Sequence, residues 1–188
     1  MKNFIFALTT LALIGTAFIY WWQNQTDIKE LNKSLPEGIK VEKTLLGFGE
    51  EYKLTNKIDN YSFKIPPEWE GLYKINYYPQ RTEMDYTGSS LNIEGKNGEG
   101  RVIGIDQFTS GGDMNSNLEE WLQEQSTVFD LMDNFIKETL DKISIIKTQE
   151  NIHLGGEYTY SFKKNSLIYS VTGPSEKFIE YIILNGNW

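Results

Sequence analysis

The stretch Tyr61-Ser62-Phe63-Lys64-Ile65-Pro66-Pro67 alternates apolar and polar residues and then stops at two prolines. Successive side chains of a strand point to opposite faces, so the pattern predicts a strand with one face on a core. Proline cannot donate to a sheet ladder, so Pro66 and Pro67 end it. Leu72 to Tyr78, Ser90 to Glu94 and Arg101 to Phe108 repeat the alternation. Gly95-Lys96-Asn97-Gly98-Glu99-Gly100, between the last two, is rich in residues that tolerate positive φ and reads as a hairpin loop. Ser110-Gly111-Gly112-Asp113 is a further break.

The period then changes. Leu118, Trp121, Leu122, Val128, Phe129, Met132, Phe135, Ile136, Leu140 and Ile143 recur at helical spacing, the stripe of a helix that faces a core. Ser116 and Glu119 have the S-x-x-E spacing of a capping box. The expectation is one long helix, or two stacked helices joined at Ser126-Thr127. Strands resume at Ile143 to Thr148, Tyr158 to Phe162 and Leu167 to Val171, with a turn at Lys163 to Ser166. Phe178, Ile179, Ile182 and Ile183 then share a helical face, and Asn185-Gly186 suits a helix C-cap. A strand there is the alternative, because isoleucine and tyrosine favour sheets. This order predicts an α+β domain: an antiparallel β-sheet with a long central helix and a short C-terminal helix packed on it.

With the strand, its proline stop and the later Trp69 in view, Tyr61 to Trp69 resembles the "Y-x-h-x-h-P-x-x-W" opening of the PsbP/Mog-type family. The capped helix from Ser116 and the hairpin Glu157 to Thr172 follow in matching order, so the similarity covers roughly Tyr61 to Trp188. The resemblance implies a PsbP-like binding or assembly module without catalysis. No binding motif of that family maps onto residues here.

Phe4 to Trp22 carries no charge, extends roughly 28 Å as a helix and ends in Tyr20, Trp21 and Trp22. It is expected to be a retained signal-anchor, a transmembrane helix of a bacterial envelope protein with its domain outside the cytoplasm. The alternative is secretion after cleavage near Ala17, where Gly15-Thr16-Ala17 offers small residues. Residues 23–43 read as a polar linker with Pro36-Glu37-Gly38 as a turn, although Ile28 and Leu31 suit a short helix. The PsbP-like domain is then expected over residues 44–188.

Beyond residue 22 remain 166 residues, enough for one domain. Lys2 is the one charge removed, so 17 basic residues face 26 acidic ones, a net −9. An acidic chain without a basic stripe argues against nucleic acid as partner. Membrane contact through residues 4–22 and another envelope protein are the expected partners. There is no cysteine, so neither a disulfide framework nor a thiolate site is available. Asn24, Asn32 and Asn60 open Asn-x-Ser/Thr sequences, which an asparagine-rich chain also produces by chance.

Catalytic chemistry has little to build on. His153 is the only histidine, and a lone histidine at a strand border fits a turn or surface role. Ser89-Ser90 and Ser110 lack a G-x-S-x-G context, and Gly47-Phe48-Gly49 lacks the Gly-Lys-Ser/Thr of a phosphate cradle. Asp106, Asp113, Glu119, Glu120 and Glu124 offer oxygens without the spacing of a calcium loop. No catalytic residue, metal site or cofactor is therefore expected. The aromatic group Tyr73, Tyr77, Tyr78 and Tyr86, with Arg81, is the candidate interaction surface, since tyrosine and arginine are enriched at contacts. The expected role is a membrane-tethered, non-catalytic protein-interaction or assembly module. The alternatives are a carbohydrate or small-ligand binding domain and a hydrolase built on Asp106 and Glu94.

Overall fold

The computed structural model describes residues 15–16, 28–46, 49–66, 72–83, 86–95, 102–111, 113–129, 135–149 and 158–188. Helix α1 (residues 28–34) comes first, followed by β1 (Ile39–Leu46), β2 (Gly49–Asn56) and β3 (Tyr61–Ile65). Then come β4 (Leu72–Glu83), β5 (Tyr86–Gly95), β6 (Val102–Gly111) and helix α2 (Leu118–Phe129). The chain continues through β7 (Ile136–Leu140), β8 (Ile143–Gln149), β9 (Tyr158–Lys164) and β10 (Leu167–Gly173). Helix α3 (Glu176–Leu184) and β11 (Gly186–Asn187) close it. Two antiparallel sheets result, in the orders β1-β2-β3-β11 and β4-β5-β6-β10-β9-β8-β7.

The expected α+β domain with a long central helix is corrected: the fold is mostly β, and its helices are short. Helix α2 ends at Phe129, and Ile136–Leu140 and Ile143–Gln149 pair as a hairpin. Ile136 and Leu140 misled the periodicity because a spacing of four puts residues on one face of a helix and of a strand alike; Met132 lies outside the described residues. The two-residue turn decides between them. Asp141 and Lys142 have φ of 42° and 72°, the positive pair of a tight hairpin connection. Ile136, Thr139, Ile143, Ile145 and Ile146 are β-branched and favour the strand. The α2 cap also moves by one residue. The Asn117 side chain accepts from the Glu120 N–H at 3.0 Å, and the Glu120 carboxylate accepts from the Asn117 N–H at 3.4 Å. Ser116 Oγ instead donates to the Asp113 carbonyl at 2.6 Å. The short C-terminal helix is present as α3, with Asn185 at its C-cap.

The expected transmembrane helix and the single-pass, extracytoplasmic localisation built on it are also corrected. Among the described residues no helix is long and apolar enough to cross a membrane. Apart from Gly15 and Thr16, Phe4 to Trp22 itself lies outside the described residues.

The two sheets share one core. β1 to β3 contribute Val41, Leu54, Tyr61, Phe63 and Ile65; β4 to β6 contribute Ile75, Leu91, Ile93, Ile103 and Ile105. Tyr160, Phe162, Tyr169 and Val171 come from β9 and β10, and Ile179, Ile182 and Ile183 from α3. The indole of Trp188 sits among rings of both sheets. It stacks on Phe63 with centroids 6.0 Å apart, and meets Phe162 and Tyr169 edge-on at 5.2 and 5.3 Å. A second, smaller cluster lies on the opposite face of the large sheet, where Trp121 and Leu122 of α2 cover Phe108, Ile146 and Ile168. Trp121 is pinned by its Nε1–H to the Gly111 carbonyl at 2.7 Å.

Residues 28–43, read from sequence as linker, supply Ile28, Leu31, Ile39 and Val41 to the main core. Asn32 ties α1 to β1, with its amide donating to the Val41 carbonyl and accepting from the Val41 N–H, both at 2.8 Å. Burying one such aliphatic side chain contributes roughly 1.5–3 kcal/mol, and a whole domain has only about 5–15 kcal/mol of net stability. A chain beginning at Thr44 is therefore expected to lose its cooperative thermal transition, while one beginning at Asp27 keeps it. Differential scanning calorimetry of the two checks this.

Gly186 is required where it stands. A Cβ built there falls inside the Trp188 indole. Gly186→Ala is expected to push the ring out of its stack and destabilise by about 1–3 kcal/mol, as overpacked cores do. Urea unfolding of the variant beside Trp188→Ala measures it, and a loss no larger than that of the truncation is the expected result.

Candidate functional site

Strand β4 is an edge of the seven-stranded sheet, and two register shifts against β5 break its ladder. Leu72 faces Gly95 but Lys74 faces Glu94, and Tyr78 faces Ser90 but Arg81 faces Gly88. Each shift places one extra residue on β4, a bulge that twists an edge away from further pairing. Pro79, in the second bulge, has no N–H to offer.

The candidate residues divide across this strand. Tyr77 packs against the core. Its hydroxyl donates to Asp59 Oδ1 at 3.1 Å, and burial followed by the Asp59 charge pushes its pKa up to about 12. Asp59 belongs to an Asx turn between β2 and β3, in which Asn56 Oδ1 accepts the N–H groups of Ile58 and Asp59 at 3.0 and 3.1 Å. The Asp59 carbonyl accepts from Gln107 Nε2 at 2.7 Å, and the same amide reaches the Tyr169 hydroxyl at 3.0 Å. Tyr77 thus helps lock the small sheet onto the large one. Tyr78 points the other way and keeps 42% of its surface exposed, with the Arg81 guanidinium 5.9 Å from its ring centroid. Tyr73 and Tyr86 lie on β4 and β5, and their side chains are outside those described. The structure therefore brings together Tyr78 and Arg81 and separates Tyr77 from them.

The face that carries Tyr78 follows from alternation. Leu91, Ile93, Ile103, Ile105 and Val171 enter the core, so Ser90, Asn92, Glu94, Gly104, Asp106, Ser170 and Thr172 line the outer side. Pairing aligns them in rows. Tyr78, Ser90, Asp106, Ser170 and Ser161 form one, and Asn76, Asn92, Gly104, Thr172 and Thr159 the next. Ser161 and Ser170 bond hydroxyl to hydroxyl at 2.8 Å, and Thr159 and Thr172 at 2.9 Å. At the edge, Glu94 accepts from Asn76 at 2.6 Å and from Lys74 at 3.3 Å. Sequence reading took these strands as core formers and singled out only Glu94 and Asp106 among their outward residues. The short polar residues between the apolar ones carried the signal for this face.

The acids weighed as calcium ligands do not converge. Glu119 pairs with Lys137, Glu120 caps α2, and Glu124 accepts from the Asp113 N–H at 3.2 Å. Among the described residues no group of three His, Asp or Glu side chains is placed to hold a metal. His153, Gly47-Phe48, the loop residues 96–100 and Pro67 to Trp69 lie outside the described residues. A pocket of about 550 Å³ opens between the start of α2 and the β7–β8 edge, with Glu119 and Lys137 on its wall.

A charged cluster that sequence reading missed ties α3 down. Lys147, its side chain only 12% exposed, reaches Glu138 at 2.7 Å and Glu176 at 2.8 Å, and lies 4.8 Å from the Tyr160 ring centroid. The Tyr160 hydroxyl donates to Glu176 Oε2 at 2.7 Å. Burial alone would depress the Lys147 pKa, but the carboxylates of Glu138 and Glu176 override it and raise it. Burial likewise raises Tyr160, so this phenol stays protonated and serves as a donor. The lysine and tyrosine bonds hold Glu176 below the usual carboxylate value of 4.5. The sequence signal was an isolated lysine in the apolar run Ile143 to Lys147, with Glu176 and Glu180 one helical turn apart.

No family model, curated protein or solved structure matches this chain.

The Glu176 shift sets a pH dependence. A carboxylate with a lowered folded pKa contributes stability that is full above its unfolded value and lost as pH falls through the folded one. Glu176→Gln is expected to be less stable than the parent near neutrality. That difference shrinks as pH falls below 4.5. Thermal melts of both proteins across the acid range check it.

Proposed function

We propose that the protein is a non-catalytic interaction module whose contact surface is the outer face of the seven-stranded sheet around Tyr78 and Arg81. The observation that carries this reading is the outward placement of Tyr78. Its neighbour Tyr77 is committed to Asp59, while Tyr78 presents an exposed ring beside a guanidinium. Aromatic and arginine side chains held this way are the common anchors of contacts.

The hydrolase reading loses its carboxylate pair. Glu94 faces Val102 and Ser90 faces Asp106, so the two acids lie four residues apart along neighbouring strands. At about 3.4 Å per residue their backbones lie roughly 14 Å apart, a wide starting point for the roughly 5–10 Å between carboxyl groups that glycoside hydrolysis uses. Glu94 is moreover held by Lys74 and Asn76.

Hydroxyl-radical footprinting of the full-length protein, in its native cells and after purification, tests the reading for any class of partner. Tyr78 is expected to label less in cells than in the purified protein, while Tyr181 on α3 labels equally in both. Equal labelling of Tyr78 in the two states would remove this face as the contact surface.

A further inference from the structure

The outer face of the large sheet has two unlike halves. One is apolar and capped by α2 through Phe108, Ile146 and Ile168. The other is floored by Ser90, Asn92, Gly104 and Asp106 on the adjacent strands β5 and β6. Serine, asparagine, aspartate and glycine are poor strand formers. An ordinary solvent face on such strands favours β-branched residues such as threonine. Concentrating residues that contradict local preference at the middle of a sheet marks a place where something other than folding sets the sequence.

We propose that this floor, with Tyr78 at its rim, binds a neutral saccharide longer than a single sugar ring. The inference rests on the proposed contact surface and names what occupies it. Short side chains keep the floor low, and their amide and hydroxyl groups offer both donors and acceptors to sugar hydroxyls. Gly104 is itself buried: a Cβ there would lie 3.4 Å from Asn92 Oδ1 and 3.6 Å from Thr172 Cβ, so those two side chains close over it and a larger residue would raise the floor between them. Asn76, Ser90, Asn92, Asp106 and Thr172 are only half-buried. Tyr78 gives the apolar ring on which a sugar face stacks. Tyr78 and Asp106 are two strands apart in one row, roughly 10 Å, so a ligand touching both has to exceed one ring.

Other occupants fit less well. An anionic ligand would meet Asp106 on the floor; Lys74 is paired with Glu94, and Arg81 lies at the rim beside the Tyr78 ring, not over the floor. A peptide added as a strand needs an unbroken edge, and β4 is interrupted by two bulges and by Pro79. A peptide bound through side chains needs apolar pockets, and this half is floored by polar groups.

The test is native affinity electrophoresis of the full-length protein in gels containing amylose, a β-1,3-glucan, a β-1,4-glucan, a mannan or a galactan. Retardation by at least one polymer is expected, reduced at least tenfold in apparent affinity by Tyr78→Ala and abolished by Gly104→Val. Gly104→Ala is made beside it as the stability control, because its Cβ would meet nothing closer than 3.4 Å; its melting temperature should be unchanged or higher while binding weakens. A merely structural glycine would give the opposite pattern, lower stability with binding intact. A tyrosine that only packs would likewise lose stability and keep binding. No retardation by any polymer overturns the proposal, as does retardation that survives both substitutions. Absence of retardation with Tyr78 still protected in cells overturns the saccharide and keeps the contact surface. Equal labelling in cells removes both.

Discussion

The fold depends on the aromatic contact that joins its two sheets. Phe63 of the small sheet and Phe162 and Tyr169 of the large one meet around Trp188. Neither sheet could bury its apolar face alone, because a sheet that is hydrophobic on one side must cover that side with another layer. Helix α3 helps cover it, with Ile179, Ile182 and Ile183 inserted beside the rings. At the rim the same union is made by polar groups. The β2–β3 turn reaches across the interface, where Asp59 receives Tyr77 and Gln107. A buried amide such as Gln107 is costly unless satisfied; here it donates across the interface to the Asp59 carbonyl and within its own sheet to the Tyr169 hydroxyl.

This arrangement also sets what is left over for function. From β5 to β10 the inner face of the large sheet packs in the core, and α2 uses one end of the outer face. Between α2 and β4 the outer face carries short polar side chains, with Ser161 and Ser170 buried and Ser90, Asn92 and Asp106 half-buried. It is bounded by β4, an edge blunted by its bulges and Pro79. The bulge that places Pro79 and Gln80 against β5 lies directly after Tyr78. Edge protection and presentation of the ring thus come from one local feature. The Lys147 cluster plays no such part. Tyr160 there is a proton donor held in place by Glu176, and the cluster fastens α3 to the sheet beneath it.

Strands were legible wherever apolar and polar residues strictly alternated, as in Tyr61 to Ile65 and Ser90 to Glu94. The turn Asn165-Ser166 and the helix from Glu176 to Leu184 were also readable from local chemistry. The long helix was misread because its stripe joined residues of α2 to residues of β7 at a spacing that both periods share. What distinguished them was the Asp141-Lys142 turn, whose positive φ values come from pairing and not from a glycine or asparagine signal. The core role of Ile28, Ile39 and Val41 was hidden because the partners they bury against are remote in sequence. Of the candidate surface, Tyr78 and Arg81 share a face, whereas Tyr77 turned inward for a partner, Asp59, that no local pattern announces. The polar floor was invisible for a related reason. Ser90 and Asp106 become neighbours only through strand register.

The central claim is that the two sheets form one cooperative unit around the Trp188 contact. Native-state amide hydrogen exchange, followed residue by residue, tests it most directly. The account predicts that the amides of Phe63 in β3 and of Tyr169 and Val171 in β10 open together, with the free energy of global unfolding, and respond equally to denaturant. Exchange of β1 to β3 through a separate opening of much lower free energy, while β6, β9 and β10 stay protected, would contradict it.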